Sequence, residues 1–204
     1  GMPTRHFGRL NAAPKSAKSK QSTENKDMTS KKNLSERDIC TQFILPAITK
    51  TGWNLEKQIR EEVFFTDGRI FVKGNKTARG ERKRADVVLY HKPNIPIAVV
   101  EAKDNNHSVG AGLQQALDYA ETLDIPVAFS SNGDGFIVHD RSGTGSVVER
   151  RLKLSEFPSP AEIWAKYKAY KGIETKAQED IASHDYFFDG SGRKPRYYQQ
   201  IAVN

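Results

Sequence analysis

The sequence predicts an α/β fold with a mixed central β-sheet flanked by helices. Three observations carry that reading: helical and strand-like segments alternate along the chain, the strand-like ones are short and rich in Val and Ile, and two pairs of them are joined by turn-forming residues. The first helix covers Leu34 to about Leu45. Ser35 is its N-cap, Asp38 occupies the capping-box position, and Ile39, Cys40, Phe43 and Ile44 share one side. Pro46 lacks an N–H and should end or kink it. Val63–Phe65 and Ile70–Val72 flank Thr66-Asp67-Gly68-Arg69, and an Asp-Gly pair between β-branched and aromatic residues signals a hairpin. A second hairpin pairs Ala85–Tyr90 with Pro96–Lys103 across His91-Lys92-Pro93-Asn94; it is apolar on both faces, which suits the centre of a sheet.

Ser108 then caps a helix expected from about Val109 to Leu123, with Leu113, Ala116, Leu117, Ala120 and Leu123 as its apolar stripe. Pro126–Ser131 and Phe136–His139 are further strands around Asn132-Gly133-Asp134-Gly135, and Pro158 and Pro160 open a shorter helix over about Ala161–Tyr170. Beyond Gly172 the pattern thins to a polar segment and a loop, before an apolar helix start at Pro195.

The chain has 204 residues, 37% of them hydrophobic and 28% charged, which suits one globular domain with appendages. No apolar run approaches the roughly 18–20 residues of a membrane span, and the first residues carry no signal-peptide core, so a cytoplasmic protein is expected. Cys40 is the only cysteine, which excludes an internal disulfide and a cysteine-based zinc site. Residues 1–32 hold eight Lys/Arg against two acids, nearly the whole of the net charge of +7. That stretch is poor in large apolar residues and is expected to be a disordered basic tail (1–33). The remainder is close to neutral, so basic surface there is local. One such cluster, Lys73, Lys76, Arg79, Arg82, Lys83 and Arg84, ends just before the strand at Ala85 and could form a phosphate-attracting rim.

The second hairpin also carries the chemistry. With the turn centred between Pro93 and Asn94, the numbers of facing residues sum to 187, so Asp86 faces Glu101. Such partners share a face with Cα atoms roughly 4.5–5.5 Å apart. The strand period of two adds Lys103. A slip of one residue would separate the acids onto opposite faces. Two buried carboxylates side by side call for a cation or a shared proton. Oxygen donors without His or Cys suit Mg²⁺ or Mn²⁺, and such an ion can activate water against a phosphodiester while Lys103 orients that water and offsets developing charge. A plain salt-bridged trio at a sheet end is the alternative reading. Gln115 and Tyr119, spaced i, i+4, project together toward the sheet edge, where they could brace the site or be ordinary surface residues. Glu36 lies in line with the buried stripe of the first helix, either as a capping-turn residue or as a further metal ligand.

Asp86, Glu101-Ala102-Lys103, Gln115 and Tyr119 resemble the PD-(D/E)xK nuclease signature with the QxxxY extension of RecB-like nucleases. Arg84–Tyr90, Ile97–Lys103, Gln114–Ala120 and Phe129–Gly133 resemble more closely the N-terminal endonuclease domain of the type I restriction enzyme R (motor) subunit. Ala85 stands where the generic signature has Pro. The resemblance implies a restriction-endonuclease-like core over 34–172, with Asp86 and Glu101 as metal ligands helped by the Ala102 carbonyl and by Glu36. It implies a catalytic Lys103 and support from Gln115 and Tyr119; the basic cluster, read from its charge, adds Arg82, Lys83 and Arg84 as expected DNA contacts. Arg196–Ala202 resembles the adenine-reading Q-motif of the same family, with Gln199 as the adenine contact; 173–204 would then be a linker and the truncated start of the motor, ATP being a cofactor of the full-length subunit only. The implied activity is Mg²⁺-dependent cleavage of double-stranded DNA away from the recognition site after ATP-driven translocation, in complex with modification and specificity subunits. The competing functions are a non-catalytic DNA-binding or motor-docking module and a stand-alone RecB-like exonuclease.

Overall fold

The computed structural model describes Gly1 and residues 30–66, 69–71 and 82–184. Residues 2–29 of the basic tail, the Asp67-Gly68 turn, Lys73, Lys76, Arg79 and the Gln199 segment lie outside the described residues. The chain divides between Asn33 and Leu34, and the sheet with its helices belongs to the unit that begins at Leu34.

Helix α1 (Glu36–Ile39) starts on the expected capping box: the Ser35 hydroxyl accepts from the Asp38 N–H, and the Asp38 carboxylate accepts from the Ser35 N–H. Pro46 does not end it. A π-helical turn over Cys40–Ile44 leads straight into α2 (Leu45–Lys50), with Pro46 in the first turn of α2. The wider turn gives the proline ring room where an α-helical carbonyl would clash, so the chain passes the proline without stopping.

Among the described residues seven strands follow: β1 (Ile59–Thr66), β2 (Arg69–Phe71), β3 (Lys83–Tyr90), β4 (Pro96–Ala102), β5 (Val127–Ser131), β6 (Phe136–Asp140) and β7 (Glu149–Leu152). They form one sheet in the order β2-β1-β3-β4-β5-β6-β7. Every neighbouring pair is antiparallel except β4 with β5, which run parallel. A parallel pair needs a crossover, and α3 (Leu113–Leu123) supplies it. The α/β class and mixed sheet expected from the sequence are thus present.

The crossover helix begins four residues later than its composition suggested, and Ser108 does not cap it. Gly112 lies against the sheet, where a Cβ would come within 3.1 Å of both Glu101 Cγ and Ser130 Oγ. The Gly112 N–H donates to the Ser130 hydroxyl (3.0 Å), which donates in turn to the Val109 carbonyl (2.7 Å). A strand serine therefore replaces the local cap.

Helix α4 (Pro160–Lys171) follows on a Ser159 capping box. Helix α5 (Lys176–Ala182) occupies part of the segment that reads as merely polar. The helices cover both faces of the sheet. On one face Ile39, Ile44, Ile48 and Ile163 pack with Val87, Leu89, Val100 and Phe129; on the other Ala116 and Ala120 of α3 pack with Val88, Val99 and Ala128. Among the described residues, no helix is long and apolar enough to cross a membrane.

Candidate active site

The β3–β4 hairpin positions the two acids. Val87 pairs with Val100, Val88 with Val99 and Leu89 with Ala98; the register slips only between Leu89 and Tyr90, on the turn side. Carried one pair further, it brings Asp86 opposite Glu101. There side chains take over from the ladder: Asp86 Oδ2 accepts from the Ala102 N–H at 2.9 Å, and the Asp86 N–H points to Glu101 Oε2 at 3.5 Å.

Glu101 is only 2% exposed. Burial and the neighbouring Asp86 carboxylate push its pKa up to about 8, against a smaller opposing effect of Lys103. Near neutral pH the carboxyl thus holds a proton that a cation would displace.

Lys103 leaves the end of β4, where its N–H continues the parallel ladder to the Ser131 carbonyl (2.9 Å). Its ammonium lies 4.0 Å from Glu101 Oε1 and 3.7 Å from Glu36 Oε2, and donates to Gln115 Oε1 at 3.4 Å. Gln115 Nε2 donates to the Tyr119 hydroxyl at 2.7 Å, and the Tyr119 ring meets Phe65 edge-on at a centroid distance of 5.3 Å. The i, i+4 pair on α3 therefore reaches the lysine and anchors on the core. Glu36 arrives from the opposite helical layer and meets the lysine rather than the acid pair. Among the described residues, no three His, Cys, Asp or Glu side chains form a metal cluster.

These groups line a cleft of about 610 Å³ with Arg82, Lys83 and Arg84 at its rim. The Arg82 guanidinium sits 4.0 Å above the Phe64 ring, Lys83 Nζ donates to Thr122 Oγ1 at 2.8 Å, and Arg84 lies 3.7 Å from Glu62. Among the described residues, no His or Cys lines the cleft. Cys40 is buried, and desolvation aided by nearby acids pushes its thiol up to about 12, so it offers no nucleophile. Two carboxylates with no His or Cys beside them among the described residues are oxygen donors of the kind Mg²⁺ takes when water and phosphate complete its shell. Sequence reasoning missed Asp118 in the cleft wall, Arg37 beside Glu62 (3.1 Å), and the close approach of Gly112 to Glu101. Asp118 lies one residue before Tyr119 and could have been found from helical spacing; the other two depend on packing between distant segments.

Residues 70–146 match the family model described as type I restriction enzyme R protein N terminus. Over 173 residues the chain is 50% identical to the type I restriction enzyme EcoAI endonuclease subunit of Escherichia coli, covering 84% of this chain and 21% of that subunit. This domain belongs to the type I restriction enzyme R protein N-terminal family. A solved fragment of a putative HsdR subunit of a type I restriction enzyme from Vibrio vulnificus is 41% identical, with a TM-score of 0.61, over 84% of this chain and 31% of that one. This R-protein domain therefore represents about a fifth of the length of the EcoAI relative. The acid pair and Lys103 lie within the stretch matched by the family model, whereas Glu36 precedes it.

Proposed function

We propose that this R-protein domain is a Mg²⁺- or Mn²⁺-dependent endonuclease that hydrolyses phosphodiester bonds in double-stranded DNA. The observation that carries this reading is the coupled pair Asp86 and Glu101, with the Lys103 ammonium 4.0 Å from Glu101, in an open cleft with a basic rim. Asp86, Glu101 and the Ala102 carbonyl would hold the ion, which when bound supplies Lewis acidity toward a phosphate oxygen and a more acidic water. Glu101 gives up its proton as the cation enters. Lys103, kept in place by Gln115, orients the attacking water and offsets negative charge building on the phosphorus-bound oxygens. Tyr119 holds Gln115, and Glu36 pulls the ammonium from the other side. Arg82 and Arg84 at the rim meet the sugar-phosphate backbone, which fixes the position of the duplex without reading sequence.

In the whole R subunit this chemistry would follow ATP-driven translocation, with modification and specificity subunits choosing the site; ATP then belongs to the motor. The test is Asp86→Ala and, separately, Lys103→Ala in the assembled enzyme. Each should reduce ATP-dependent DNA cleavage by at least about a hundredfold, the scale of losing a group that acts on the reacting atoms, while ATP hydrolysis continues. Intact cleavage by a folded variant would overturn the assignment. Loss on charge reversal at Arg82, Lys83 and Arg84 combined with full activity of Glu101→Ala would instead mark a DNA-binding or docking module.

A further inference from the structure

Strand β1 contains a residue whose backbone does not fit a strand. Glu62 has φ 49°, in the left-handed region that residues other than Gly rarely adopt and β-branched residues essentially avoid. The break falls at a particular place. The β1–β3 ladder runs from Ile59–Leu89 through Glu61–Val87 and resumes at Val63–Ala85 in the same register, and the omitted step is the one where Glu62 would face Asp86.

Both strands change faces at that step. Ile59 packs in one core cluster and Val63 in the other, although an even separation should keep them on one face; Val87 and Ala85, two apart, are divided the same way. At this unpaired step the Asp86 N–H is directed to Glu101 Oε2 at 3.5 Å. The Glu62 carboxylate, meanwhile, lies outside the acid pair, 3.1 Å from Arg37 and 3.7 Å from Arg84. A local break of this kind next to an active site re-aims a side chain without shifting the register of the strand.

We propose that Glu62 is a positioning residue for the active site: its left-handed backbone opens the β1–β3 ladder at Asp86 and turns Asp86 onto Glu101. The significance of that turn for metal binding rests on the function proposed above, whereas the geometry can be tested without it. Three variants of the 204-residue chain separate the possibilities. Glu62→Val cannot hold the left-handed conformation, Glu62→Gly accepts it freely, and Glu62→Gln removes the charge while keeping an unbranched side chain.

Two readouts are taken on each: the backbone amide resonances of Asp86 and Glu101 in the metal-free protein, and Mn²⁺ binding by calorimetry. Glu62→Val should displace both resonances and weaken Mn²⁺ about tenfold or more, as losses of supporting groups around metal ligands do. Glu62→Gly should recover most of both. If Glu62→Val does not fold, Glu62→Ala carries the same comparison with a smaller effect. Unmoved Asp86 and Glu101 resonances in the Val or Ala variant would overturn the proposal. So would a Gln variant as impaired as Val, because the carboxylate rather than the backbone would then be responsible. If the wild type binds no Mn²⁺ but the resonances follow the Val and Gly pattern, the metal reading fails and the positioning role of Glu62 stands.

Discussion

At the scale of single residues, the unusual group is Glu101, a carboxyl buried beside another carboxyl. In the unfolded chain it loses its proton near pH 4.5, and in the folded domain near pH 8. Between those values unfolding releases a proton, so rising pH favours the unfolded state. Without divalent cations, this group should therefore make stability fall from about pH 4.5 to about pH 8 and contribute no further change above. Glu101→Gln should flatten that part of the curve, as read from melting temperatures in chelator across the range; parallel curves for the two proteins would exclude the coupling. The same proton makes cation binding pH-dependent in the opposite sense. Mn²⁺ affinity should rise with pH and level off once Glu101 is ionised.

At the scale of elements, the end of β4, the start of α3 and the side chain of Ser130 form one unit. Ser130 is fully buried and joins the Gly112 N–H to the Val109 carbonyl. Ser130→Ala should cost about 1–3 kcal/mol by leaving both buried backbone groups unpaired. Gly112→Ala should cost about 1–3 kcal/mol by overpacking, its added carbon meeting Glu101 and Ser130. Both are read by denaturant unfolding, and an unchanged midpoint would show that the helix start is not built from the sheet. This unit also shows what sequence reading reaches. The β3–β4 pairing was legible as a hairpin of apolar strands, but its turn is not centred between Pro93 and Asn94: Tyr90 pairs with Pro96, and only the slip between Leu89 and Tyr90 restores the sum of 187 that sets Asp86 opposite Glu101. The start of α3 was not legible, because its cap comes from a strand later in the chain. Strand β7 escaped notice because Glu149, Arg150 and Arg151 are exposed and give no apolar alternation. Pro46 misled because a π-helical turn absorbs it, and the break at Glu62 has no signature in residue type.

At the scale of the whole molecule, charge is divided between a basic N-terminal stretch and a near-neutral remainder whose cleft has its own basic rim. Duplex affinity that depends on Arg82 and Arg84 should be strongly salt-dependent. Replacing both with Ala should lower the slope of log affinity against log salt by about 2 and weaken binding similarly on unrelated sequences. An unchanged slope would place the duplex elsewhere. Cleavage also requires that the duplex be brought to the cleft, which the proposed function gives to the remainder of the R subunit and its partners; the acid pair itself can be tested in this chain alone. The most direct test is calorimetric titration of the wild-type chain and Glu101→Ala with Mn²⁺ near neutral pH, repeated in buffers of different ionisation enthalpy. Wild type should bind and release a proton to the buffer, while Glu101→Ala should bind about tenfold or more weakly and release none from this site. Equal affinity and equal proton release in the two proteins would contradict a metal site built on this acid pair.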